Sequence, residues 1–149
     1  MEIQNISFRN AEIEDREFIL NANKEINVLS GLNDSTLELN IDKDMFEDKI
    51  CKTILVEVDG VPVGFILYSY IYWANCGKGI YLSQAYVKQE YRKHGLLRKL
   101  LEQLEKEEKE CKFITNLVGN ENEIMMKSME KLHFNSSDLI TYYRKIEKY

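Results

Sequence analysis

The 149-residue sequence predicts a mixed α/β (α+β) fold, with a mostly antiparallel central sheet of six to seven strands flanked by about four helices. Three observations predict it. Two runs rich in β-branched and aromatic residues, Lys52–Val58 and Val61–Tyr72, meet at Asp59-Gly60, a pair suited to a tight hairpin turn. At Gly95 the apolar period lengthens to that of a helix, with Leu97, Leu100, Leu101 and Leu104 as the stripe. Short strand-like runs recur on both sides of that helix.

Taken in order, Ile3–Arg9 reads as an opening strand. Glu12 to about Asn27 reads as a helix, with Phe18, Ile19, Ala22 and Ile26 on one side. Gly31–Asn40 is polar and irregular. Asp42–Ile50 reads as a second helix facing inward through Met45, Phe46 and Ile50. The hairpin follows, then a turn at Asn75–Gly79 and a third long strand at Ile80–Lys88. The leucine-striped helix spans Gly95–Glu110. After it come a strand at Phe113–Val118, a helix at Glu121–Leu132 and a last strand at Ser137–Lys145. Residues 1–149 read as one domain with no internal repeat and no linker composition.

Composition narrows the classes of function. Hydrophobic residues make up 44% and charged residues 30%, the balance of a soluble globular protein. No run reaches the ~18 apolar residues of a membrane span, and the N-terminus has no signal-peptide core. A cytoplasmic protein that does not act on membranes is expected. Three scattered cysteines, Cys51, Cys76 and Cys111, fit reduced thiols, and no metal-ligand spacing is present. Residues 1–50 carry twelve acids against five bases. An acidic front half argues against nucleic acid as a partner and favours a cationic substrate, though it reads equally well as a solvated surface with no role.

The richest stretch is Tyr81–Val87 followed by Lys88–Arg98. A strand ends, a basic turn holding Arg92, Lys93, His94 and Arg98 follows, and a helix begins. A helix N-terminus presents unpaired N–H groups and a positive dipole end, which suits a diphosphate. An ordinary strand-to-helix turn reads equally well on these grounds.

Arg92-Lys-His-Gly95-Leu-Leu97 resembles the acyl-CoA-binding motif R/Q-x-x-G-x-G/A of the GNAT superfamily of N-acyltransferases. Val56–Phe65 is similar to that family's hairpin. Asn122, twelve residues before Phe134, fits its N-x-x-A-x-x-x-Y-x-x-x-G-F pattern. The resemblance implies a GNAT-like sheet with splayed central strands and acetyl-CoA as cosubstrate. It implies that amides of Arg92, Lys93, His94, Gly95, Leu96 and Leu97 hold the CoA diphosphate. It also implies that backbone near Tyr86 and Val87 pairs with the pantetheine arm, and it places Asn122 on the cofactor side. Leu97 stands where the family has a small residue; on the apolar stripe, it is expected to turn into the core. Members often dimerise, and the aromatic hairpin would supply a homodimer interface by the same analogy.

Gly64–Trp73, Gly77-Lys78 and Ile80-Tyr81-Leu82 are more narrowly similar to diamine (spermidine/spermine) acetyltransferases. Those enzymes carry acids where this chain has Ser83 and Gln84. Tyr68, Tyr70, Tyr72 and Trp73 read either as alternating strand packing or as a wall for substrate.

For catalysis, the resemblance implies a backbone N–H near Val87 on the thioester carbonyl and a helix tyrosine as acid for the thiolate. Alignment on Asn122 and Phe134 puts Met129 at the tyrosine's place. Ser128, Tyr142 and Tyr143 are other donors near in sequence. Glu57 and Glu90 lie near in the chain, yet nothing in the sequence places either as base. His133 replaces the family's glycine and is expected to stabilise a helix end, and His94 is expected to touch phosphate. The catalytic acid and base stay unassigned.

Overall fold

In the computed structural model, which describes residues 2–29, 41–119 and 122–139, five strands form one sheet in sequence order. They are β1 (Ile6–Asn10), β2 (Lys52–Val58), β3 (Val61–Trp73), β4 (Gly77–Val87) and β5 (Ile114–Asn116). The helices are α1 (Arg16–Leu29), α2 (Leu96–Glu107) and α3 (Glu123–Lys131). β1 to β4 pair antiparallel, whereas β5 runs parallel to β4. That reversal is possible because α2 carries the chain back along the sheet between the two strands.

The β2–β3 turn has positive φ at both central residues, 51° at Asp59 and 79° at Gly60, which matches the right-handed strand twist. Strand alternation then sorts the side chains into two layers. Ile54, Val56, Ile66, Tyr68, Ile80 and Leu82 pack on one face against Leu96, Leu100, Leu101 and Leu104 of α2. Leu55, Phe65 and Tyr86 pack on the other against Ile19 and Ala22 of α1 and against Ile41. The buried stripe of α2 starts at Leu96, one residue before the expected Leu97. Leu96, Leu100 and Leu104 follow the i, i+4, i+8 row, and Leu97 sits at its half-buried flank.

Three expectations change in the structure. The sheet has five strands among the described residues. Of the expected last strand, Ser137–Leu139 is not extended pairing, and the remainder lies outside the described residues, as does Gly31–Asn40. The Asp42–Ile50 helix is a π-helical turn at Asp42–Glu47. Lys49 then takes a left-handed φ of 51°, which swings Ile50 out to 64% exposure; Met45 and Phe46 do pack inward. Finally, β4 begins at Gly77, three residues before the expected start, and lengthens the hairpin with β3. No helix among the described residues is long and apolar enough to cross a membrane.

Arg9 joins β1, β2 and the entry to α1. Its guanidinium donates to both oxygens of Asp15, at 2.7 and 2.8 Å, and through Nε to Glu57 at 2.7 Å. Asp15 also accepts the Glu12 N–H at 2.8 Å. The Arg9 hydrogen bonds hold the Asp15 carboxyl below its ordinary value, against the opposing pull of burial, with the Glu12 N–H adding to the effect. A depressed folded-state pKa means the stabilisation is full above the unfolded value of about 3.9 and is lost as pH falls through the folded one. Urea midpoints should therefore drop as pH is lowered from 5 toward about 2.5. Asp15→Asn should lower stability by about 1–2 kcal/mol at pH 7 and flatten that drop. An acid limb as steep as in the wild type would exclude this role.

Candidate functional site: the open edge of β4 and the start of α2

Only three residue pairs join β4 to β5, from Ile80–Ile114 to Leu82–Asn116. There the two strands part. On its other side β4 stays paired with β3 as far as Gly64–Val87. An extra residue, Ser83, lies between the Tyr68–Leu82 and Leu67–Gln84 pairs, so β4 bulges just where β5 leaves it. From Ser83 to Val87, roughly 15 Å of β4 edge is free of β5.

Strand alternation decides which backbone groups face that edge. The Lys88 N–H donates to Val63 O at 2.8 Å, so the backbone of Lys88 faces β3. One residue earlier, Val87 faces the opposite way, and Tyr86 faces β3 again. Arg92 Nε donates to Val87 O at 2.8 Å from the open side, in agreement with this parity. The Val87 N–H is thus the group aimed into the gap.

A short 3-10 turn, Gln89–Tyr91, carries the chain from β4 to α2. Lys93 and Gly95 both have left-handed φ, 66° and 75°. Gly95 is the N-cap of α2. It has no side chain to offer, and among the described residues no side chain accepts from the amides that open the helix. A Cβ at Gly95 would meet no atom within 4 Å, so the glycine answers to backbone conformation, with open space beside it. Lys93 and His94 are exposed at the loop's rim. Leu97 packs its side chain against the core beneath α2, away from that space. The first turn of α2 therefore presents bare N–H groups at the positive end of a twelve-residue helix dipole.

Arg92 is held on its other side. Its NH2 group lies 2.9 Å from Glu25 Oε1 on α1, and Glu25 Oε2 accepts the Tyr86 hydroxyl at 2.6 Å. Burial and that carboxylate push the Tyr86 phenol up to about 12. Glu25, 67 residues from Arg92, was not foreseen from the sequence, because its distance in the chain leaves no local signal. Gly64 is a second residue whose part emerges only in three dimensions. A Cβ there would stand 2.6 Å from Tyr86 O, so glycine permits the approach of β3 that fixes this end of β4.

The remaining candidates lie elsewhere. Asn122 is the N-cap of α3, its Oδ1 accepting the Met125 N–H at 3.1 Å. Met129 is buried, with Sδ accepting from Asn116 Nδ2 at 3.2 Å. Ser128 donates back to Ile124 O. Glu57 is paired with Arg9 on β2. His133 occupies the left-handed position after α3, with φ 64°, where a glycine is the usual choice. Tyr142 and Tyr143 lie outside the described residues. The aromatic run extends from mid-ladder, where Tyr68 pairs with Leu82, to the far end of β3–β4 from Val87. Tyr68, which is buried, and Tyr70 donate to Glu108 at 2.8 Å, and Trp73 stacks on Phe113 at 4.4 Å, while Tyr70, Tyr72 and Trp73 stay exposed. A groove of about 870 Å³ runs beside α2 past Leu101, Cys111, Phe113 and Phe134 and has none of residues 86–95 in its lining.

The structure thus brings together a mixed sheet whose β4 parts from β5 and an uncapped helix start, and a helix start of this kind is suited to an anion. The acetyltransferase (GNAT) family model matches residues 12–134, and the chain belongs to this family. No curated protein matches it in sequence. Solved structures share the fold. A possible acetyltransferase from Clostridium difficile 630 superposes with a TM-score of 0.80 at 19% identity, covering 99% of this chain and 100% of that one. The aminoglycoside N-acetyltransferase AAC(6')-Iy, in complex with the bisubstrate analogue CoA-S-monomethyl-acetylneamine, gives 0.75 at 19% identity, over 96% and 99%. A predicted acetyltransferase from Clostridium acetobutylicum, solved with acetyl-CoA, gives 0.72 at 16%, over 94% and 96%.

Gly64→Ala tests the packing that sets this end of β4. The clashing partner is a backbone oxygen, which has no rotamer to escape into. The substitution should lower stability by about 1–3 kcal/mol in urea unfolding, whereas wild-type stability would show that β3 and β4 can separate freely here.

Proposed function

We propose that this chain transfers the acetyl group of acetyl-CoA to a primary amine of a small molecule. The observation that carries the reading is the uncapped N-terminus of α2 opening beside the free edge of β4. The two features fit two parts of one cosubstrate. The Arg92 N–H, expected to face the diphosphate, is instead spent on Gln89 O at 3.2 Å, so the amides from Lys93 to Leu97 are the ones that suit it, and the exposed Lys93 and His94 add donors at the rim. The Val87 N–H suits a carbonyl whose oxygen gains charge during the reaction. Asn122, by capping α3, acts on the cofactor side through the placement of that helix rather than by its own amide oxygen.

In the reaction, the neutral amine nitrogen attacks the thioester carbonyl carbon. A C–N bond forms, the C–S bond breaks, CoA departs as thiolate, and the amine nitrogen gives up a proton. A thiolate whose pKa is about 8.5 leaves without a dedicated acid. This matters because Met129, at the place of the family's tyrosine, has no proton to give. The aminoglycoside enzyme among the structural neighbours supports a small polar amine as acceptor. The acidic balance of residues 1–50 supports a cationic one.

One observation favours a second reading, an acyl-CoA-binding domain without turnover. Met129 is buried and fastened to Asn116, so this position is built as packing rather than as a proton donor. Thiol release from acetyl-CoA across a panel of amines separates the two. Turnover with any amine establishes transfer; binding of acetyl-CoA with no release throughout leaves the second reading. For the loop itself, Arg92→Ala combined with Gly95→Leu should raise the acetyl-CoA dissociation constant about tenfold or more by calorimetry. Unchanged affinity would mean that the diphosphate sits elsewhere.

A further inference from the structure

Tyr86, Glu25, Arg92 and Val87 form a closed ring of hydrogen bonds. The ring leaves β4 at the Tyr86 hydroxyl, crosses to Glu25 on α1, and passes to the Arg92 guanidinium. It returns to β4 at Val87 O, one residue from where it began. Two adjacent residues of the strand that borders the gap are thereby tied through one carboxylate of α1.

Stability alone gives this ring little reason to exist. The Arg92 and Glu25 side chains keep 41% and 40% of their exposure, and ion pairs that wet contribute little to folding. Its effect falls on where Arg92 points. The Nε and NH2 groups make up one edge of the guanidinium, the edge that pairs side-on with two oxygens of an anion. Here that edge is spent on Val87 O and Glu25 Oε1. An arginine beside the start of α2 is thus turned toward α1, while the amides that open the helix have no side-chain cap.

We propose that Glu25 is a positioning residue that competes with the cosubstrate diphosphate for Arg92 and so couples the loop to α1. This rests on the reading that residues 92–97 hold that diphosphate. When the diphosphate takes the Nε–NH2 edge, Arg92 releases both Glu25 and Val87 O. Val87 O then becomes an acceptor at the open edge of β4, available to an N–H of the ligand. Glu25 keeps its bond from Tyr86, whose proton stays in place because the phenol is held far above neutrality. α1 loses its tie to the loop at the same moment. By linkage, whatever seats or unseats α1 changes cosubstrate affinity by the same factor.

The test is acetyl-CoA titration by calorimetry of the wild type, Glu25→Gln, Arg92→Lys and the double variant. Glutamine keeps the shape of Glu25 and still accepts from Tyr86, so only the charge that detains Arg92 is removed. Glu25→Gln should tighten acetyl-CoA about two- to fivefold, the scale of a half-exposed ion pair. The gain should vanish on the Arg92→Lys background, since lysine has no side-on edge to release. Unchanged or weakened binding by Glu25→Gln overturns the proposal. So does an equal gain with and without Arg92→Lys, which would reflect only the removal of a nearby negative charge. If the wild type itself binds no acetyl-CoA, the functional reading falls and this one with it. If the wild type binds and Glu25→Gln has no effect, the functional reading stands and the positioning role alone is lost.

Discussion

The separation of β4 from β5 after Leu82–Asn116 is the constraint on which the rest of this molecule turns. A paired strand has no backbone to lend to a ligand, because its N–H and C=O groups are already satisfied. Among the described residues β4 is held on one side only over Ser83–Val87, and the Val87 N–H faces the other side. The hold on the other side is firm because Gly64 lets β3 come close. The bulge at Ser83 marks the changeover, and the tight turn at Gln89–Tyr91 brings the start of α2 to the same gap. An edge, a helix start and a left-handed glycine thus converge, and Glu25 of α1 ties into the same place through Tyr86 and Arg92.

Much of this arrangement is visible in the amino-acid order. Asp59-Gly60 between two alternating apolar runs allows little other than a hairpin, and the structure has one. Gly95, between a basic turn and a leucine stripe, marks where the helix was expected to start, and α2 begins at the next residue. His133, one residue past the helical pattern, also lies at the end where it was expected. In each case the cause is local: a φ sign, a two-residue turn or a helical period.

What the sequence hides is non-local or depends on register. A bulge such as Ser83 has no compositional mark, because any residue can be the extra one. The stripe of α2 could be counted from Leu96 or Leu97, and only the sheet beneath decides between them. Ile50 reads as buried by hydropathy, yet a single left-handed residue at Lys49 turns it outward. Tyr68, Tyr70 and Trp73 attract attention as an aromatic group, but register spreads them from the middle of the β3–β4 ladder, opposite Leu82, to its end at Gly77, away from Val87. The Glu25–Arg92 pair joins two segments that carry no mutual signal.

The bare amides that open α2 underlie every functional statement made for this chain. They can be watched one at a time by recording amide resonances of the isotope-labelled protein as acetyl-CoA is added. The account predicts that Gly95, Leu96, Leu97 and Val87 shift first and furthest, while amides of β1 and of the Trp73–Gly77 hairpin end hold still. Large shifts confined to residues outside this gap, with the α2 amides unmoved at saturation, would contradict it.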